Sequence, residues 1–295
     1  MPSVHRILSF TAFIVFATGL AHGGERDEAA AARIARPGVG RSAKAAPQNA
    51  PHLPLPVVQS LNNLPLRFEA NQGQTDRRVE FLSRGQGYTL FLAGEEAVLS
   101  LRGQNGNRKI DNPKSKIQNA PPPSVIRMKL EGARTVQAEG LDPLPTKSNY
   151  FFGSDPRQWR TDVPSYARVK YQDVYPGISL IYYGNQQQLE YDFVVEPGAD
   201  PRAIRLAVEG AVAAVSNRRT AMGTSPLQVA SNGDLMIAAE TGDVRFRKPV
   251  VYQMVDGRRR EIAARYGLRA KNPKSKIENP KYEVAFELAA YDPKI

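Results

Sequence analysis

The sequence predicts an all-β protein with an antiparallel β-sandwich-like fold. Three observations predict it. Between Val79 and Leu288, apolar residues alternate with a period of two in run after run, and the runs end at Gly, Pro or Asn-Gly. Pro and Gly number 23 each, so breaks between elements are frequent. No window of about a dozen residues carries strong helical periodicity without a Gly or Pro inside it.

Taken in order, the chain begins with His5 and Arg6, an apolar run from Ile7 to Ala17, and small residues at Gly19 and Ala21. A basic start, apolar core and small-x-small end predict a signal peptide over residues 1–21, cut after about Ala21. The run falls short of the ~20 apolar residues that span a bilayer, which disfavours an uncleaved anchor. No later run approaches that length. From 22 to 60 the composition shifts to an alanine run, Ala29 to Ala32, and then to Pro37, Pro47, Pro51, Pro54 and Pro56. Such a stretch buries too little apolar surface to offset its ordering entropy, so a disordered Ala/Pro-rich linker is expected.

The all-β domain is expected over 61–295. Its candidate strands are Val79–Ser83, Tyr88–Leu92, Ala97–Arg102, Val125–Glu131, Ala167–Tyr171, Ile178–Tyr183, Leu189–Glu196 and Ile204–Glu209. Leu227–Ala230, Asp234–Ala239, Val250–Val255, Glu261–Arg269 and Tyr282–Leu288 follow. Gly85-Gln86-Gly87 and Ser231-Asn232-Gly233-Asp234 are turn signals. Asp155-Pro, Asp200-Pro and Asp292-Pro start turns. Arg127 to Ala133 and Arg205 to Ala211 echo one another, each leaving a strand through Glu-Gly-Ala. That echo suggests two related lobes, about 64–145 and 146–295.

A second repeat is of another kind. Asn112-Pro-Lys-Ser-Lys-Ile117 recurs verbatim at Asn272 to Ile277. A structural repeat keeps its buried residues and varies its surface; here a polar, basic surface tract is what is kept. These are read as low-complexity inserts, at about 105–120 and 270–280. Residues 108–119 carry +3 and residues 269–281 carry +4 of the formal +11. The basic balance therefore lies mostly in two loops, which argues against specific nucleic-acid binding. Loose attraction to anionic cell-envelope polymers is the milder expectation.

Composition also bounds the chemistry. There is no cysteine, and the three histidines, His5, His22 and His52, all precede the domain. A Ser-His-Asp triad, thiolate chemistry and a His-ligated metal are therefore excluded from the domain. Carboxylates, Lys, Tyr, Ser and Thr remain. No cofactor and no metal site is expected.

The densest segment runs from Asn149 to Pro201. Six of the twelve tyrosines fall between Tyr166 and Tyr191, and the single Trp159 lies just before them. Aromatic faces with polar tips suit sugar stacking, and they equally suit half-buried packing on strands. Along Leu189 to Val195, Glu190 and Asp192 share the face opposite Leu189, Tyr191, Phe193 and Val195. Two carboxylates about 7 Å apart at Cβ could serve a glycosidase, hold calcium with carbonyl oxygens, or face water. Further upstream, Phe68 is read as a core anchor for the polar stretch around Gly73, with Asn71 and Gln72 hydrogen-bonding neighbouring strand ends. The alternative there is a polar ligand site with Glu69. Candidate ligand or structural residues are thus Glu69, Asn71, Gln72, Trp159, Tyr182, Tyr183, Glu190 and Asp192; no catalytic residue is assigned.

Several motifs occur in order: Phe68-Glu-Ala-Asn-Gln-Gly-Gln74, Gly87-Tyr-Thr-Leu-Phe-Leu92, Asn149-Tyr-Phe-Phe-Gly153 with Trp159, Val174-Tyr-Pro-Gly-Ile178, Tyr182-Tyr-Gly184, Leu189-Glu-Tyr-Asp-Phe193 and Pro197-Gly-Ala-Asp-Pro201. Over about Leu64 to Pro293 the chain resembles the domain of unknown function at the N-terminus of bacterial SBBP-repeat (β-propeller) surface proteins. The resemblance implies an exported all-β module ahead of propeller repeats, with no established activity. Ser179 stands where that family usually has Asp, the two inserts are foreign to its pattern, and the chain stops at Ile295 before a further expected strand. The reading is a non-catalytic exported surface or assembly module, truncated or free-standing. A carbohydrate-binding module or carbohydrate-active enzyme, using paired carboxylates and an aromatic groove, is the alternative. Expected partners are a propeller-repeat domain or a cell-envelope glycan, and the expected location is periplasmic, cell-surface or extracellular.

Overall fold

A computed structural model of the chain describes residues 8–16, 66–85, 87–102, 123–185, 188–210, 226–239, 242–270 and 282–294, with the backbone alone for 8–16. The linker expected at 22–60 and the repeated basic motifs lie outside these residues.

The described chain is strand almost throughout. In chain order the strands are β1 (Leu8–Phe16), β2 (Phe68–Ala70), β3 (Phe81–Gly85), β4 (Tyr88–Ala93), β5 (Glu96–Leu101) and β6 (Ser124–Leu130). Next come β7 (Ala138–Tyr150), β8 (Arg160–Tyr175), β9 (Ile178–Asn185), β10 (Gln188–Val195), β11 (Arg205–Glu209) and β12 (Leu227–Val229). The last are β13 (Leu235–Ile237), β14 (Val244–Phe246), β15 (Val250–Val255), β16 (Arg258–Ile262), β17 (Ala264–Ala270) and β18 (Tyr282–Leu288). Two single-turn 3-10 helices, Pro156–Gln158 and Pro201–Ala203, are the helical elements among the described residues. Each opens on the Asp of an Asp-Pro pair: Asp155 and Asp200 accept the backbone N–H two residues on, which satisfies a donor the short turn leaves free.

All recorded pairings are antiparallel, in large sheets consistent with a β-sandwich-like fold. Strands β3 to β6 form a meander. Strand β11 lies between β6 and β18, and β18 pairs with β17. Strand β2 lies between β3 and β8. Strands β8, β9 and β10 follow one another, with β7 along the remaining edge of β8. The ladders β2–β8 and β6–β11 thus cross the boundary near 145 that divided the two expected lobes. The apolar run Leu8–Phe16, read from sequence as a signal-peptide core, forms β1 beside β10, β14 and β15.

The echoed segments turn out to be neighbours. Arg127 stands opposite Glu209, and the Glu131 N–H donates to the Arg205 carbonyl at 2.9 Å. Each strand exits through a glycine in the left-handed region, Gly132 (φ 73°) and Gly210 (φ 83°). At Gly210 a side chain is barred twice, because a Cβ there would also stand 2.1 Å from the Val125 carbonyl oxygen.

Alternation puts one face of most of the described strands into a single core. Phe68, Leu90, Leu99, Ile126, Val169, Ile178, Leu189, Phe193, Val244 and Val284 are fully buried there. A file of rings runs through it: Tyr171, Tyr182, Tyr191, Phe193, Phe286 and Tyr266 lie at successive centroid distances of 6.2, 6.0, 5.8, 6.1 and 5.6 Å. Mostly edge-on and tilted contacts of this kind suit ring quadrupoles. Burial raises the pKa of the Tyr171, Tyr182 and Tyr191 hydroxyls, so they stay neutral.

Strand β7 escaped the sequence reading. It is mostly exposed, carries Pro143 and Pro145, and shows no apolar alternation. Those prolines are tolerated because β7 is an edge strand, where a missing N–H breaks no central ladder. Asp142 and Asp162 adopt positive φ (54° and 59°), and the β7–β8 register slips between Leu144 and Lys147 and again between Ser148 and Tyr150.

The strand ends that flank the two expected inserts are pinned, Leu101 opposite Ser124 and Ala270 opposite Tyr282. Because β6 and β18 both run antiparallel to β11, both begin at the same end of the sheet. On the sequence expectation that Asn112–Asn119 belong to a surface loop, deleting them should change stability by less than about 1 kcal/mol in urea unfolding. A loss of several kcal/mol would show that the tract is packed.

Candidate functional site

The site is built on a strand of only three residues. Strand β2 is held on both sides: Glu69 stands opposite Leu82 of β3 and opposite Ser165 of β8. Alternation sends Phe68 into the core, 0% exposed, and Glu69 to the opposite face. A carboxylate there would ordinarily face water, yet Glu69 is only 4% exposed, because the far end of β7 folds over it.

Four donors surround it. The Ser148 hydroxyl donates to Glu69 at 2.9 Å, Arg84 Nη1 at 3.0 Å, and the Tyr150 hydroxyl donates as well. Arg67 Nε is 3.4 Å away. Arg84 also donates to the Tyr150 oxygen at 2.5 Å, and its guanidinium lies 5.3 Å from the centre of the Tyr150 ring. Burial pushes the Glu69 carboxyl pKa up. The hydrogen bonds from Tyr150 and Ser148 and the charges of Arg84 and Arg67 outweigh it and hold the pKa below the usual value. Burial, and then the bond to Glu69, raise that of Tyr150.

Tyr150 so fixed leads into the exposed turn. Phe151 and Phe152 follow it at 62% and 41% exposure. Phe152 stacks on Tyr150 at 6.0 Å with 17° between the planes, and Phe151 stands edge-on to Trp159 at 5.0 Å. Trp159 Nε1 donates to the Gly153 carbonyl at 3.3 Å, and Gly153 takes the left-handed conformation (φ 61°) that closes the turn. Arg160 ties this tip to the β2 side: Nε donates to the Gln72 carbonyl at 2.8 Å and Nη1 to the Trp159 carbonyl at 2.9 Å.

Asn71 and Gln72 therefore contribute differently. The Asn71 amide spans its own loop, donating to the Asp76 and Val79 carbonyls at 2.8 Å each and accepting from Gly73 N–H at 3.0 Å and Thr75 N–H at 3.3 Å. Gln72 offers its backbone carbonyl to Arg160 and its N–H to Gln74 Oε1 at 2.6 Å. Asn71→Ala should cost about 1–3 kcal/mol, since several backbone groups lose their partner at once. An unchanged melting temperature would assign Asn71 to ligand contact instead.

The other candidates group elsewhere. Tyr182 packs in the core, 8% exposed, and stands opposite Tyr191. The Tyr183 hydroxyl donates to Asp192 Oδ1 at 3.1 Å. Glu190, opposite Tyr183, is 3% exposed, so this carboxylate does not face water. Tyr183 pairs with Arg168, nine residues along β8 from Trp159, which is up to about 30 Å of extended chain. Glu69, Asn71, Gln72 and Trp159 thus come together at one end, while Tyr182, Tyr183, Glu190 and Asp192 belong to the middle of the sheet. Among the described residues no three His, Cys, Asp or Glu gather to hold a metal ion. No described helix is long and apolar enough to cross a membrane.

Sequence reasoning did not single out Arg67, Arg84, Ser148, Tyr150, Phe151, Phe152 or Arg160. The one local signal was Tyr150-Phe-Phe, three consecutive aromatics where alternation buries at most every second one. It also passed over Asp234, 4% exposed, which accepts from Lys248 N–H at 2.7 Å, Asn232 at 2.8 Å and Arg245 at 2.5 Å. An open cleft of about 700 Å³ adjoins it, lined also by Arg247, Val251 and Glu261.

No curated protein and no solved structure matches the chain. The sequence model of the family described as Domain of unknown function (DUF7948) matches residues 68–295. The match begins at Phe68, the first residue of β2, and takes in the Glu69 cluster, the aromatic tip and every strand from β2 to β18. The chain belongs to the DUF7948 family.

Proposed function

We propose that this chain is a non-catalytic, carbohydrate-binding β module of an exported surface protein, and that sugars stack on the tip formed by Phe151, Phe152 and Trp159. The observation that carries the reading is the exposure of two phenylalanines on a turn that is anchored from beneath. Exposed aromatic clusters cost solubility and mark contact surfaces. Flat aromatic faces bordered by polar groups match the apolar face and hydroxyl rim of a sugar ring. Arg160, which donates to the Arg157 and Trp159 carbonyls, adjoins this one.

Binding rather than turnover fits the carboxylate below. A glycosidase acid needs a raised pKa, so that it carries a proton to the leaving oxygen. Glu69 has the opposite shift, and donors occupy both its oxygens. Its role in this reading is to hold Tyr150, and through it the tip, in place before the ligand arrives. Export is part of the proposal and is supported by the basic start and apolar run at Ile7 to Ala17. A place beside propeller repeats is supported by the ordered motifs from Phe68 to Pro201.

Affinity electrophoresis and calorimetry against a panel of bacterial envelope and extracellular polysaccharides test this. Trp159→Ala and Phe151→Ala should each weaken binding about ten-fold or more, the worth of one stacked ring, with little change in melting temperature. Equal binding by these variants, or no binding of any polysaccharide by the wild type, would overturn the proposal.

A further inference from the structure

Strand β1 lies in the sheet with neighbours on both edges. Along one edge Leu8 to Ile14 pair with Val195 to Leu189 of β10. Along the other, Leu8 to Thr11 pair with Gln253 to Val250 of β15, and Ile14 to Phe16 with Phe246 to Val244 of β14. On their far sides β10 has β9, β14 has β13, and β15 has β16. Removal of these nine residues therefore opens an edge on three strands at once. Each open edge presents unpaired backbone N–H and C=O groups, a template for another strand.

The register specifies what such a slot accepts. Leu8, Phe10, Ala12 and Ile14 stand opposite Val195, Phe193, Tyr191 and Leu189, all buried. Phe10 is also opposite Val251, and Ile14 and Phe16 are opposite Phe246 and Val244, buried as well. Of the intervening residues, Ser9 and Thr11 stand opposite Val194 and Asp192, which are half-buried, Phe13 stands opposite Glu190, which is buried, and Val15 opposite Arg245, which is half-buried. The slot thus takes about nine extended residues with apolar side chains at positions 8, 10, 12, 14 and 16, antiparallel to β10 and β15.

Residues 22–63 do not offer such a strand. Pro37, Pro47, Pro51, Pro54 and Pro56 remove the N–H groups that a central strand must donate. The two basic inserts lack apolar alternation.

We propose that, once residues 1–21 are removed on export, the slot between β10 and β14/β15 receives an extended segment of a partner polypeptide with apolar residues at alternate positions. This rests on the export reading above, and on cleavage in particular. Backbone pairing supplies affinity and the alternate side chains supply selectivity, as in other strand-addition complexes.

The full chain is secreted from a bacterial host, and mass spectrometry reads the N-terminus of the purified product. The probe is a fluorescent synthetic peptide of residues 7–17 with a lysine tail, followed by anisotropy and by amide hydrogen exchange. The expected result is a monomer starting near His22, with rapid exchange at 189–195 and 250–253 that slows when the peptide binds. Phe10→Asp or Ala12→Asp in the peptide should weaken binding about ten-fold or more. A cleaved monomer that ignores the peptide, or whose strands are already protected, overturns the slot and leaves the export reading standing. A cleaved dimer protected at these strands makes a second copy the occupant and overturns the partner. A chain that retains Leu8–Phe16 refutes cleavage, and with it the proposal, because the slot is then filled by its own strand.

Discussion

Phe68→Ala should destabilise the domain by about 3–5 kcal/mol, the loss seen when a fully buried ring is removed and its space is not refilled. The side chain is 0% exposed on a strand of only three residues. That strand stitches β3 to β8, placing Phe68 opposite both Ser83 and Tyr166. Losing the anchor therefore loosens two ladders. Urea unfolding followed by tryptophan fluorescence measures it, with the midpoint falling and the slope unchanged. Domains of this kind have roughly 5–15 kcal/mol in hand, so the milder Phe68→Leu, which should fall between wild type and Phe68→Ala, keeps the comparison measurable. A loss below about 1 kcal/mol for Phe68→Ala would mean that β2 is not held in the core.

The next residue acts from the other face. Glu69→Ala should cost about 3 kcal/mol, because it strips charged hydrogen bonds from Arg84, Tyr150 and Ser148 together. The loss should depend on pH with a definite sign. The Glu69 pKa in the folded protein is lowered from its reference value of 4.5. Its contribution is therefore complete above that value and is lost as the pH falls through the folded pKa. The stability gap between wild type and Glu69→Ala should be widest near neutrality and should narrow progressively below pH about 4.5. A gap that stays constant down to pH about 3 would show that the carboxylate's charge contributes nothing. The same variant frees Tyr150, so under the proposed function sugar affinity at the tip should fall even where the protein remains folded.

Much of the architecture was legible because it is written locally. The meander from β3 to β6 shows its alternation in Tyr88 to Leu92 and Ala97 to Leu101, and its first turn at Gly87. The tyrosine-rich stretch was harder. Tyr171, Tyr182 and Tyr191 have the same composition whether they line a groove or a core, and only the sheet packed against them makes them core. Tyr150 and Glu69 are 81 residues apart, and nothing near either announces the other. Strand β7 hid for a related reason: as an exposed edge with two prolines, it is held by the ladder to β8 and not by an apolar stripe of its own.

By itself the sequence determined the strand-rich class, most strand positions and the Asp-Pro turns, since alternation and turn chemistry act over a few neighbouring residues. The tertiary structure alone decided which strands lie side by side. It placed the echoed Arg-to-Glu strands against each other, buried Glu69 beneath Tyr150, left Phe151 and Phe152 in solvent, and set Leu8–Phe16 between β10 and β15. Period-two alternation states which face of a strand is buried and says nothing about its neighbour. The choice of neighbour is a sum over contacts distant in sequence, and it is made only when the whole sheet closes on its core.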